Sequence, residues 1–160
     1  MKHEMRRAKQ RLPLEESLVL LEKGSSGVLA LWDGEEPYAV PMSYVYSGGK
    51  LYFHCARAGR KLEAIRVCPK ASFCVVAADD VMAEKYTTAY RSVIVSGPLR
   101  ILEDEAEMLP ALRLLAEKYN PGHSEDAEKE IFAWISHLFM LELHADEISG
   151  KQGKELLNQS

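Results

Sequence analysis

Apolar positions along the chain alternate between a spacing of three to four residues and a spacing of two, and these changes divide it into elements. Pro13 followed by Leu14, Leu18 and Leu21, with Gly24 as a stop, predicts a short amphipathic helix. Gly27 to Trp32 is an apolar run of strand length, Asp33-Gly34 is a turn signal, and Pro37 to Tyr46 resumes as a long strand interrupted by Pro41. Ser47-Gly48-Gly49 then turns the chain into Lys50 to Cys55, which alternates like a strand, so residues 37 to 55 read as a β-hairpin. Tyr44 and Tyr46 share a face of its first arm; on the second, Tyr52 and His54 share one face, Phe53 and Cys55 the other. Pro41 has no amide proton, so its position must be an edge, a bulge or a place where pairing is given up. Backbone released from a sheet there can serve a ligand.

Ala56 to Gly59 is small and turn-permissive, and Arg60 to Arg66 has helical periodicity with Leu62 and Ile65 on one face. Ala71 to Ala78 predicts a central strand after Pro69, and residues 79 to 89 a loop or short helical excursion. Tyr90 to Ile101 reads as a strand with a bulge or bend at Gly97-Pro98. Glu103 to Tyr119 predicts a helix that Pro110 either kinks or begins, stopped by Asn120-Pro121-Gly122. Glu125 to Ser136 predicts another, with Ile131, Phe132 and Ile135 buried and Trp134 in core or interface. His137 to His144 returns to strand character, followed by an Ile148-Ser149-Gly150-Lys151 turn and a polar tail. About six strands in antiparallel succession, with two or three helices inserted rather than alternating, exclude a doubly wound sheet and fit an antiparallel barrel with appended helices. No interior linker divides the chain, so residues 1–160 read as one domain, with an N-terminal arm over 1–12 and a polar tail over 152–160.

Composition narrows the class. An apolar fraction of 47% and a charged fraction of 28% are those of a soluble globular protein, and no uncharged run approaches the ~20 residues of a membrane span. The basic amino terminus is followed by no apolar segment, so no secretory signal is expected and the cytoplasm is the expected compartment. Cys55, Cys68 and Cys74 are odd in number and widely spaced, which argues for reduced thiols rather than a disulfide framework or a zinc site; no metal is expected. A net charge of −4 gives no global attraction for nucleic acid, and the cluster Lys2, Arg6, Arg7, Lys9 and Arg11 reads as a solvated arm.

The richest stretch is residues 50 to 66, where a strand, a tight turn and a helix start follow one another. The first turn of a helix leaves amides unpaired and carries the positive end of a dipole, so it favours an anion. Arg60 and Lys61 stand where that anion would sit, with Gly59 free to adopt backbone angles closed to other residues. Two readings follow from the residues alone: a phosphate-bearing ligand, or a solvated basic turn. His54 ends the strand beside this turn, either as a hydrogen-bonded structural side chain or as a group serving the site.

The series MRRAKQ, GVLAL, PYAVPMSYVY, KLYFHCARAGRKLEAI, YRSVIVSGPLRI and EISGK resembles the FMN-binding split-barrel superfamily. Within it, the chain is most similar to the pyridoxamine 5′-phosphate oxidase-like group that contains the nitroimidazole-resistance proteins. The resemblance covers residues 5 to 152, and its specificity lies in the order and spacing of the pieces. It implies a mainly β fold with appended helices, a six-stranded antiparallel split β-barrel. It also implies a homodimer with FMN in a groove at the subunit interface. By the same resemblance, Arg60 and Lys61 hold the phosphate, the backbone of Val40, Pro41, Met42 and Ser43 meets the flavin ring, and Ser92 matches a serine beginning a later strand. His54 matches the strand-end histidine near the flavin and is the one candidate catalytic residue, to orient a substrate or donate a proton. Cys55 replaces a frequent serine, and a thiol is the weaker donor toward the phosphate. The basic residues that hold substrate phosphate in the vitamin-oxidising enzymes have no counterpart near the carboxyl end. The implied activity is therefore a nitroreductase-type oxidoreductase. The alternatives are a flavin-storing module, or a haem-binding relative using His54, His137 or His144.

Overall fold

The computed structural model describes residues 5–157; Lys2 and the last three residues of the tail lie outside them. Helix α1, Leu14–Lys23, starts beyond Pro13 and carries Glu15 and Glu16 in its first turn and Lys23 in its last, each complementing the helix dipole. Strand β1, Ser26–Trp32, turns Leu29 and Leu31 into the core and leaves Val28, Ala30 and Trp32 outside. It pairs with β2, Pro37–Ser43, from Trp32↔Pro37 to Ser26↔Ser43. Between them Asp33 Oδ1 accepts hydrogen bonds from the amides of Glu35 (3.0 Å) and Glu36 (2.9 Å), which shapes the turn.

The strand expected over 37 to 46 breaks at Tyr44. Its ring is buried, edge-on to Phe73 at 4.9 Å, and its hydroxyl donates to the Leu21 carbonyl at 2.6 Å. Tyr119 Oη accepts from the Tyr44 amide at 2.9 Å and lies 2.8 Å from the Tyr44 carbonyl, so a side chain replaces the strand partner that the break removes. Past it, β3, Val45–Ser47, pairs only with the start of β4, Lys50–Ala56. The hairpin is thus confined to residues 45 to 52, and the expected first arm belongs largely to the β1–β2 pair.

After β4 come α2, Arg60–Val67, and two long strands, β5, Lys70–Met82, and β6, Thr87–Leu102. The expected loop over 79 to 89 is mostly strand: β5 and β6 pair through Met82↔Thr87, and only a 3-10 turn at Ala83–Lys85 joins them. Helices α3, Glu105–Tyr119, and α4, Ser124–Trp134, follow, then β7, Leu138–His144, and β8, Glu147–Gln152. Pro110 lies inside α3, which starts five residues earlier behind the cap Asp104, whose carboxylate accepts from the Ala106 amide. Phe132, expected to be buried, is exposed, as is Trp134; Ile131 and Ile135 hold the buried side of this segment.

The strand order is β2-β1-β5-β6-β7-β4-β3, with β8 also on β6, and every pairing is antiparallel. Strand β6 serves both halves. Arg91 to Ser96 lie between β5 and β8, while Leu99 to Leu102 pair with β7. The crossing falls at Gly97-Pro98, where a Cβ at Gly97 would overlap the His144 carbonyl. One hydrophobic cluster fills the interior, from Leu29 and Phe73 in one half to Leu51, Phe53 and Leu141 in the other.

Three features correct the expectation of a mainly β, six-stranded barrel. There are eight strands among the described residues, because the run over 37 to 46 splits and Glu147–Gln152 pairs along β6 rather than forming a turn. The ladder does not close: its ends, β2 and β3, are joined through Tyr44 and not by hydrogen bonds between strands. Four α-helices among the described residues make the fold mixed α/β. No helix among the described residues is long and apolar enough to cross a membrane.

Candidate functional site

The turn between β4 and α2 is built as its residues require. Gly59 sits at φ 124°, ψ 168°, a conformation that side chains rarely adopt, and its carbonyl accepts from the amides of Leu62 (3.0 Å) and Glu63 (3.3 Å). Helix α2 offers no acceptor to the amides of Arg60 and Lys61. Arg57 fixes the turn from the other side: its Nη1 donates to the Ser136 carbonyl at 2.6 Å, and its guanidinium lies 4.7 Å from the Phe139 ring centroid.

Lys61 is half-buried and reaches back to β2, where its Nζ is 3.2 Å from Met42 Sδ. A thioether is a weak acceptor, so the ammonium keeps most of its capacity for a stronger one. Cys55 is buried on the same side; burial pushes its thiol pKa up, and the charge of Lys61 opposes that shift. Met42, Cys55 and Lys61 thus converge from three elements adjacent in space and separate in sequence.

Arg60 has different neighbours. Its Nε and Nη2 donate to Asp33 Oδ2 at 3.0 and 2.7 Å, Nη2 also meets Glu36, and the guanidinium stacks 4.6 Å from the Tyr38 ring centroid. The amides of Glu36 and Glu35, and then Arg60, hold the Asp33 carboxyl at about 2. Sequence reasoning missed this clamp. Its only trace was the Asp33-Gly34 turn, and nothing in the sequence connects that turn to a residue 27 positions on.

Strand β2 ends the ladder, so Pro41 occupies an edge, and on the side away from β1 no strand among the described residues receives the backbone groups of residues 40 to 43. Val40 packs against the core, while Pro41 and Ser43 face outward and are exposed. His54 is exposed on β4 opposite Met140, on the face away from Cys55. His137 stacks edge-on with Trp134, and His144 Nε2 is 3.1 Å from Glu142 Oε1.

Ser92 lies apart from Lys61. It sits between Val76 and Lys151 on the outward face of β6, whose inward neighbours Val93 and Val95 are buried. That face carries Pro41, Val28, Cys74 and Ile94 in one row across four strands. Much of it is open to solvent: Val28 is 42% exposed, Trp32 44%, Val76 62% and Ile94 44%.

The pyridoxamine 5′-phosphate oxidase family profile matches residues 13–152. An uncharacterized protein of Rhizobium meliloti (strain 1021) is 28% identical over 144 residues, spanning 86% of this chain and 90% of that protein. Among solved structures, one from Bacteroides thetaiotaomicron, of a protein assigned to 5-nitroimidazole antibiotic resistance, superposes with a TM-score of 0.71. It is 19% identical, over 89% of this chain and 86% of that one. A FAD-binding protein from Mesorhizobium loti gives a TM-score of 0.61 at 25% identity, over 91% of this chain and 98% of that one. Since the family match takes in every element from α1 to β8, the chain belongs to the pyridoxamine 5′-phosphate oxidase family.

Proposed function

We propose that this protein is a cytoplasmic FMN-binding oxidoreductase that works as a homodimer on a small organic acceptor such as a nitro compound. The observation that carries the reading is Lys61, a half-buried cation beside Met42 at the start of α2, with no carboxylate partner among the described residues. A phosphate suits it: an ammonium, two unpaired amides and a glycine turn supply charge and donors together. Arg60 joins by exchanging Asp33 and Glu36 for phosphate oxygens, a modest cost because exposed ion pairs are weak and screened by solvent.

From that anchor the open edge of β2 offers the backbone of Val40, Pro41, Met42 and Ser43 to a flat ring, and Cys55 adds a weak donor near the phosphate. Ser92 is on the opposite side of the sheet from Met42, so it completes the site only if supplied by a second copy. The apolar outward face around it gives that copy a surface to bury. Bound FMN supplies hydride or electron transfer. The chain's own residues hold the phosphate, seat the ring against β2, and place the exposed His54 to orient an acceptor or pass it a proton.

The test is the visible spectrum of the purified full chain after incubation with FMN, with the released cofactor identified by mass. Wild type should be yellow and release FMN. Losing one charged hydrogen-bonding partner costs about 1.5–3 kcal/mol, so Lys61→Ala should weaken FMN binding by about 10- to 100-fold, and Arg60→Ala/Lys61→Ala more. A double variant that stays fully yellow overturns the phosphate assignment. A Soret band in place of flavin absorption means a haem protein, and stable flavin without turnover of NAD(P)H and a nitroaromatic means a storage module.

A further inference from the structure

Strand β2 stops at Ser43, and the side chain that stops it comes from the far end of α3. The β1–β2 ladder runs to Ser26↔Ser43, so the next rung would join Ser25 to Tyr44. The Tyr119 hydroxyl stands in that rung instead. It accepts from the Tyr44 amide at 2.9 Å, lies 2.8 Å from the Tyr44 carbonyl, and can give its one proton to that carbonyl or to the carbonyl of Ser25. A side-chain oxygen thus satisfies both backbones and keeps them one hydroxyl apart, where a ladder hydrogen bond would draw them together.

The surroundings hold that hydroxyl in place. Lys118 donates from Nζ to the Gly24 carbonyl and lies 4.0 Å from the Tyr44 ring centroid, while the Tyr44 hydroxyl donates to the Leu21 carbonyl at 2.6 Å. A Cβ at Gly24 would overlap the Tyr44 hydroxyl, so the turn from α1 into β1 closes tightly over the ring. The end of α1, the start of β1, Tyr44 and the last turn of α3 form one clamp at the point where β2 ends.

That point matters because of the edge beside it. Backbone groups of successive residues in an antiparallel strand face opposite sides. Pro41 has no amide proton to give β1, so Pro41 and Ser43 face the open edge, whereas Met42 and Tyr44 face β1. The Ser43 amide therefore lies on the open edge one residue before the clamp. We infer that Tyr119 is a positioning residue for the flavin ring: its hydroxyl fixes where β2 ends, and so the direction in which the Ser43 amide and the Pro41 carbonyl meet the ring. This role rests on the flavin reading, in which Lys61 holds the phosphate end; Tyr119 sets the ring end. Without the hydroxyl, the Tyr44 amide either closes directly on the Ser25 carbonyl, swinging Ser43 toward β1, or stays unpaired and lets the end of β2 move.

Two ligands separate the two ends of the site: FMN, and riboflavin, which lacks the phosphate. Each is titrated into the full chain and into Tyr119→Phe, Lys61→Ala and Arg113→Ala variants, following flavin fluorescence and, at saturation, the position of the long-wavelength absorption band. Arg113→Ala removes the pair between Arg113 and Glu128 that ties α3 to α4 and leaves the Tyr119 hydroxyl untouched, so it controls for a general loosening of α3. Tyr119→Phe should weaken both flavins by the same factor, about fivefold or more, and displace the band of bound FMN. Lys61→Ala should weaken FMN alone and leave that band where wild type has it, and Arg113→Ala should change neither affinity. Four results overturn the role of Tyr119: a Tyr119→Phe variant that loses only thermal stability; one that weakens FMN and spares riboflavin; an Arg113→Ala variant that matches it; or a wild type that binds FMN and not riboflavin. All four leave the flavin reading standing, whereas a wild type that takes up neither flavin overturns both.

Discussion

At the scale of single residues, Glu142 is the carboxylate most firmly built into the fold. It is 3% exposed on β7 and accepts from Arg100 Nε (2.7 Å), Lys50 Nζ (3.0 Å) and His144 Nε2 (3.1 Å), tying β6, β7 and β4 together. Burial alone would raise its pKa; the hydrogen bonds from Arg100, Lys50 and His144 outweigh that and hold it at about 2. A folded-state value below the unfolded one stabilises the protein above the unfolded pKa, and that stability is lost as pH falls through the folded one. The contribution is roughly 3 kcal/mol at neutral pH, with about 2 kcal/mol of it gone by pH 3. Glu142→Gln keeps the shape and removes the charge, so it should cost about 2–3 kcal/mol at pH 7 and little at pH 2. Urea unfolding at the two pH values decides this; equal acid sensitivity in variant and wild type would refute the assignment.

Among elements, the segment from β4 to α2 was legible in the sequence because its signals are local: alternation, then glycine, then helical spacing over 17 consecutive residues. Helix α1, strand β1 and the first part of β5, residues 71 to 78, were legible for the same reason, whereas the extension of β5 to Met82 was read as a loop. What could not be read depends on partners far along the chain. The break at Tyr44 needs Tyr119, β8 with its single Ile148 becomes a strand by pairing along β6, and Arg60 meets Asp33 only after β1 and β2 fold over α2. Gly59 tests how far the local signal matters. A Cβ there would meet no atom within 4 Å, so Gly59→Ala probes backbone angle alone. Forcing a side chain to φ 124° costs on the order of 1–3 kcal/mol. Gly48 at φ 57° lies in the region other residues do visit, and its cost is about 1 kcal/mol. Gly59→Ala should therefore lower FMN affinity at least several-fold, while Gly48→Ala lowers Tm slightly and leaves affinity intact. Equal effects on affinity would mean that the start of α2 does not position the cofactor.

For the whole molecule, the open ladder matters more than any one side chain. A sheet that does not close leaves an edge at β2 and an outward face that no helix among the described residues has made dry, and Trp32, Val28, Val76 and Ile94 stand on it. Charge is sparse in its middle rows, where Pro41, Val28, Cys74 and Ile94 follow one another across the sheet. An apolar surface of this kind is stable in water when a like surface covers it, and a two-fold axis lying in the plane of the face and along the strands would lay each row against its own copy. Such pairing would bring Ser92 of one protomer toward the β2 edge of the other, linking assembly to cofactor binding. Val76→Asp places a charge in the centre of that face without disturbing the core, since Val76 already points to solvent in the isolated chain. Light scattering after size exclusion should then give a dimer for wild type and a monomer for Val76→Asp. Circular dichroism should be unchanged, with FMN affinity at least tenfold weaker. A monomeric wild type that binds FMN as tightly as the variant would separate the flavin site from the sheet face. The phosphate anchor at Lys61 would then have to hold the cofactor within one chain.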